Sequence, residues 1–97
     1  MRKRTFNFDG SEGAAAMLGI ILHHYADIAF PRGGSECAAA SREAVLSIVA
    51  TLKQAEFIEL SRRQRPMLRS AVKWFYIDSE YASPNDPMFL TLTNKLQ

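Results

Sequence analysis

Apolar residues crowd into one stretch, Ala14 to Phe30 (AAAMLGIILHHYADIAF), broken only by His23, His24 and Asp27. A segment apolar on nearly every side predicts a central helix with partners on most faces, led by Leu18, Ile21 and Leu22. It falls short of the roughly 18 uninterrupted apolar residues of a membrane span, and its polar residues lie inside the window. A second periodic stretch follows. Val45, Ile48, Val49, Leu52 and Ala55 step by three and four, while Arg42, Glu43, Ser47, Thr51, Lys53 and Gln54 lie on other sides. The pattern thus predicts two core helices packed together, over about residues 10–30 and 36–55.

The punctuation around them agrees. Asp9-Gly10-Ser11-Glu12 has the spacing of a capping box for the first helix, and Pro31-Arg32-Gly33-Gly34 stops it. Ser35 or Ser41 caps the second. After Ala55 the helical period fails, because Glu56 and Glu59 would land on the apolar face. Phe57, Ile58 and Leu60 read better as a short strand from Glu56 to Ser61. Near the N-terminus, Phe6 and Phe8 alternate with polar neighbours as another short strand would.

Two later segments each admit two assignments. Ala71 to Asp78 (AVKWFYID) has the aromatic and β-branched character of a strand. Met67, Leu68, Ala71, Val72, Trp74 and Phe75 also form one helical face, which would end near Ile77 because Asp78 falls on it. The strand is preferred, since Glu56 to Ser61 needs a hydrogen-bonding partner. Met88 to Thr93 (MFLTLT) alternates as a last strand, whereas Asp86-Pro87 would open a short helix. The expected fold is α+β: one domain over residues 1–97, two core helices, and a small antiparallel sheet in the C-terminal half. The alternative is an all-α bundle with residues 66–77 helical.

Composition changes this picture only in places. With 47% hydrophobic and 23% charged residues, the chain has enough apolar surface to fold, and disorder is not expected. Its net charge of +2 conceals a local asymmetry. Arg62, Arg63, Arg65, Arg69 and Lys73 fall in one segment without an acidic residue, and Arg2, Lys3 and Arg4 are candidates to extend it. Carboxylates gather to either side, at Glu56, Glu59, Asp78, Glu80 and Asp86. Clustered arginines of this kind are the usual footprint for phosphate backbones. Cys37 is the single cysteine, so no internal disulfide forms, and the basic tip leads into polar residues rather than an apolar run. Both features predict a cytoplasmic protein.

Little else carries chemistry. His23 and Asp27 stand one helical turn apart, but no third and fourth ligands at zinc-site spacing accompany them, so no metal is expected. Cys37 has no helper base beside it, and Gly33-Gly34 lacks the spacing of a phosphate loop. Asp78 and Glu80 read as a solvated pair. No catalytic motif appears and no cofactor is implied; a non-enzymatic binding protein is the expectation.

The junction AVLSIVATLKQAEFIELSRRQRP resembles that of winged helix-turn-helix domains, where an amphipathic recognition helix passes into a strand and then a basic wing. The resemblance covers roughly residues 41–79. It implies that Phe57 to Leu60 is the first wing strand, Arg62 to Arg69 the wing, and Ala71 to Asp78 the return strand. It also implies a regulator that binds duplex DNA, with the helix in the major groove and the wing along the backbone. Arg42, Thr51 and Gln54 on the second helix would then join the arginines at the nucleic acid. A rival reading comes from the residues themselves. Trp74, Tyr76 and Tyr81 beside arginines suit a protein-interaction module, either an adaptor or an inhibitor of a larger assembly, meeting an acidic partner surface. Homodimerisation through the first helix or the last strand is compatible with both.

Overall fold

The computed structural model describes residues 3–8, 13–55 and 57–97. Along the chain lie β1 (Arg4–Asn7), α1 (Ala14–Ala29), α2 (Glu36–Gln54), β2 (Phe57–Leu60), α3 (Gln64–Lys73) and α4 (Pro87–Lys95). A π-helical turn, Trp74–Asp78, continues α3. The fold is mostly helical, with one two-stranded antiparallel sheet of β1 and β2.

The hairpin of α1 and α2 forms as its periodicity requires. Leu18, Ile21 and Leu22 are fully buried, and they share one core with Val45, Ile48, Val49 and Leu52. α1 is central, packing against α2, α3 and α4. Its outer stripe still exposes Ile20 and Ile28. Gly33, at φ 83, takes the left-handed conformation that turns the chain between the two helices. Ser35 then caps α2, its Oγ accepting from the Ala38 amide at 3.1 Å. The capping box expected at Asp9 and Glu12 lies outside the described residues, as does Glu56.

The sheet is not where the sequence put it. Its strands come from the N-terminus and the middle of the chain, with Phe6 opposite Ile58 and Arg4 opposite Leu60. Phe6, Phe8, Ile58 and Leu60 all reach the core. Because β1 supplies the partner that β2 needs, no strand is required downstream. Ala71 to Asp78 is helical instead, and the buried residues of α3 and its π turn, Leu68, Ala71, Val72, Phe75 and Tyr76, keep helical spacing. Residues 66–77 therefore adopt the helical alternative, although the chain is not all-α. The π turn also removes the objection to a helix there. Its extra residue rotates the backbone, and Asp78 comes out exposed.

Met88 to Thr93 is helical too. Asp86 caps α4 by accepting from the Met88 amide at 2.9 Å, and Pro87 occupies the first turn, where its missing N–H costs nothing. Two threonines with strand preference are accommodated because their hydroxyls donate back to the carbonyls of Pro87 and Phe89. Leu92 and Leu96, four apart, bury the inner face.

Candidate functional site

The basic segment begins where β2 ends. Ser61 accepts from the Gln64 amide through Oγ at 3.3 Å, and its own amide donates to Gln64 Oε1 at 2.8 Å. This reciprocal S-x-x-Q cap fixes how the chain enters α3. Arg62 and Arg63 sit inside the capped turn, both exposed, with Arg65 half-buried just beyond. No acidic residue lies in the first turn. Three guanidinium groups are thus held at the positive end of a helix, where the macrodipole disfavours them. Arg69 and Lys73 continue along α3, both exposed. The step of four puts Arg69 and Lys73 on one side of the helix, one turn apart. Arg69 also donates from Nη1 to the Leu96 carbonyl at 3.2 Å, reaching across to the end of α4. None of these five cations pairs with a carboxylate among the described residues.

These residues do not form a wing. A wing needs a strand on each side of the arginines, and the segment expected to return as a strand is helical, while β2 pairs with β1. The cations therefore stand on a turn and a rigid helix, not on a hairpin loop.

Arg42 is elsewhere and occupied. Only 12% of its side chain is exposed; Nη2 meets Asp27 Oδ1 at 2.7 Å and Nη1 donates to the Phe30 carbonyl. The hydrogen bond from Arg42 holds the Asp27 carboxyl below its ordinary value, against the opposing effect of desolvation. Thr51 and Gln54 are exposed on α2, but the Thr51 hydroxyl donates to the Ser47 carbonyl. Thr51 borders a concavity of about 430 Å³ together with Lys3, Glu59 and Gln64. The structure thus gathers Arg62, Arg63, Arg65, Arg69 and Lys73 in the opening turn and along α3, and holds Arg42 apart.

The expected protein-interface residues divide as well. Tyr81 is 60% exposed and Trp74 half-buried, but Tyr76 is fully buried. Its ring stacks on Phe89 at 5.2 Å, and its hydroxyl finds no hydrogen-bond partner among the described residues. Burial, with Asp86 nearby, pushes the Tyr76 phenol above its ordinary value. The sequence did not single out His24 as Tyr81's partner; the two rings stack at 4.4 Å, with Phe75 beyond at 5.8 Å from Tyr81. Of the surfaces considered for dimerisation, α1 exposes Ile20 and the final segment, a helix, exposes Leu90.

His23 Nδ1 lies 3.8 Å from Asp27 Oδ2, an i,i+4 contact along α1. Among the described residues no group of three His, Cys, Asp or Glu side chains gathers as a metal site would require. Nor is any helix among them long and apolar enough to cross a membrane. Comparison with protein-family models, curated proteins and solved structures gives no match, so what this site does must be argued from its own residues.

Proposed function

We propose that this is a small, non-enzymatic regulatory protein of the cytoplasm that binds the phosphate backbone of duplex nucleic acid along the exposed side of α3. The observation that carries the reading is a run of cations without a carboxylate partner among the described residues: Arg62, Arg63 and Arg65 in the opening turn, then Arg69 and Lys73. A capped helix end adds its own positive potential to theirs, and backbone amides and dipole both favour an anion there. Arginine suits phosphate because its planar fork can donate two parallel hydrogen bonds. Contacts of this kind position a protein on a duplex without reading its sequence.

A mobility-shift titration at two salt concentrations tests this. Each phosphate that the protein neutralises adds about 0.9 to the steepness with which log affinity falls against log salt for duplex DNA. Replacing Arg62 and Arg63 together by alanine should therefore flatten the slope and weaken every duplex alike. Arg42→Ala should change neither, because that side chain is spent on Asp27 and Phe30. Absence of binding by the parent at low salt overturns the proposal.

A second reading rests on the other end of α3, where the exposed Tyr81 stacks on His24 beside Trp74. Rigid, part-exposed aromatic rings are favoured anchors in protein interfaces. Loss of a partner from Tyr81→Ala, with duplex binding intact, would favour it over the first.

A further inference from the structure

We propose that the cleft between α3 and α4 is a binding site for a small hydrophobic carboxylate, of the size of one aromatic ring or a short branched chain. The cleft has a volume of about 190 Å³, and its walls are Val72, Ile77, Phe89 and Leu96. An apolar cavity of about 150 Å³ is enough to hold benzene, so the hydrocarbon part fits. The walls offer almost nothing polar. Among the described residues Thr93 alone brings a hydroxyl to the cleft, and it already donates to the Phe89 carbonyl at 2.7 Å. A nucleobase, with polar edges on all sides, would leave donors and acceptors unpaired there. Hydrocarbon would not.

The rim supplies the charge. Arg69 and Lys73, one turn apart on α3, both border the cleft, and neither meets a carboxylate among the described residues. Arg69 is held in place by its hydrogen bond to the Leu96 carbonyl, itself part of the rim. That bond uses one of five guanidinium donors and leaves the fork available. Two like charges at i,i+4 repel, and a carboxylate between them relieves the repulsion. The far wall is built from the π turn, which carries Ile77, still 48% exposed. Such turns are rare and occur frequently at functional sites. Apolar walls, a prepared guanidinium and an ammonium at the rim all favour the same ligand: hydrocarbon with one anionic end.

The test is an NMR titration of isotope-labelled protein with 3-phenylpropionate, 3-phenylpropanol, 3-phenylpropylamine and acetate, with no nucleic acid present. Its outcome is therefore independent of the duplex reading. Phenylpropionate should shift the methyl signals of Val72, Ile77 and Leu96 saturably. Phenylpropanol and acetate should each bind about tenfold more weakly, since one lacks the charge-assisted contacts and the other the buried area. Phenylpropylamine should leave the cleft unperturbed. Lys73→Gln, at an exposed position that should not disturb folding, should weaken phenylpropionate several-fold while leaving the remaining spectrum in place. Arg69→Gln should weaken it further. No saturable shift, equal binding of acid and alcohol, shifts centred away from the cleft, or an unchanged affinity in Lys73→Gln would each overturn the assignment.

Discussion

The α1–α2 hairpin and the α3 region treat charged and polar groups in opposite ways. On the hairpin, Arg42 is drawn in to close an ion pair with Asp27 and to cap the Phe30 carbonyl, so its charge is used inside the fold. In the turn before α3 and along it, five cations stand without a carboxylate partner among the described residues. The buried side-chain polar atoms found without a hydrogen bond, Arg65 Nε and Tyr76 Oη, also lie on α3 and its π turn. Buried unsatisfied groups are uncommon in native folds and need a reason. The hairpin thus closes Arg42 against its own Asp27, while the cations at the start of α3 and along it have no carboxylate partner among the described residues. That difference directs the search for function to α3 and α4 and away from the larger, more regular hairpin.

The contrast concerns charge and not anchorage, and the largest expected effect checks this. Leu22 on α1 and Leu68 on α3 are both fully buried in one core. Truncating either to alanine should cost about 2–5 kcal/mol, as for other buried leucines, read from urea unfolding. Comparable destabilisation would show that α3 is as integral as the hairpin. If Leu68→Ala unfolded like the parent, α3 would be a loosely attached arm and its cations would not be held in register.

How far the sequence foretold these regions follows from what competes with periodicity in each. In the hairpin nothing does: Val45, Ile48, Val49 and Leu52 repeat at helical spacing, and glycine and proline mark the turn. In the C-terminal half, aromatic and β-branched residues such as Val72, Trp74 and Ile77 favoured a strand, as did the apparent need of β2 for a neighbour. Two local signals outweighed them. The Ser61–Gln64 box starts α3, and Asp86-Pro87 starts α4. The first is an S-x-x-Q spacing hidden within an arginine-rich run; the second competes with the alternation of Met88 to Thr93. What no local pattern could supply was the pairing of β1 with β2 across the whole hairpin, because it depends on residues that stand far apart in the chain, such as Phe6 and Ile58. The arginine cluster was legible from composition alone, but its support was not. Nor could the chain reveal that Arg42 is internally paired, that Tyr76 is buried, or that Arg69 borders a cleft.

Tyr76 offers a finer probe of the same contrast. Its hydroxyl is buried without a partner among the described residues, while its ring packs on Phe89. Removing an unsatisfied buried hydroxyl removes its desolvation penalty, so Tyr76→Phe should stabilise the protein by about 1 kcal/mol. The pH dependence provides a second readout. Burial raises the phenol's folded value above its ordinary 10.0, so the unfolded chain gives up this proton first. The folded state then binds more protons than the unfolded one, and stability falls as pH rises past 10.0 toward the folded value. Thermal melts of Tyr76→Phe should lack that component of the alkaline decline. A destabilised Tyr76→Phe with the decline intact would mean that the hydroxyl has a partner, and that α3 is better satisfied than the comparison holds.

The smallest effect bears most directly on why the α3 cations are where they are. Arg62 and Arg63 occupy the opening turn of a helix, where the dipole disfavours positive charge and where Asp or Glu would be stabilising. Neither takes part in the Ser61–Gln64 cap through its side chain, so the cap should survive their removal. The variant with both replaced by alanine should accordingly be more stable than the parent by about 0.3–1 kcal/mol at low ionic strength, and salt should erase the gain. The same variant is the one expected to lose affinity for duplex nucleic acid. A protein that becomes more stable and less able to bind when two residues are removed is holding them for the ligand rather than for the fold. Were the variant less stable than the parent at low salt, these arginines would be structural like Arg42, and the division between hairpin and α3 would fail at its central point.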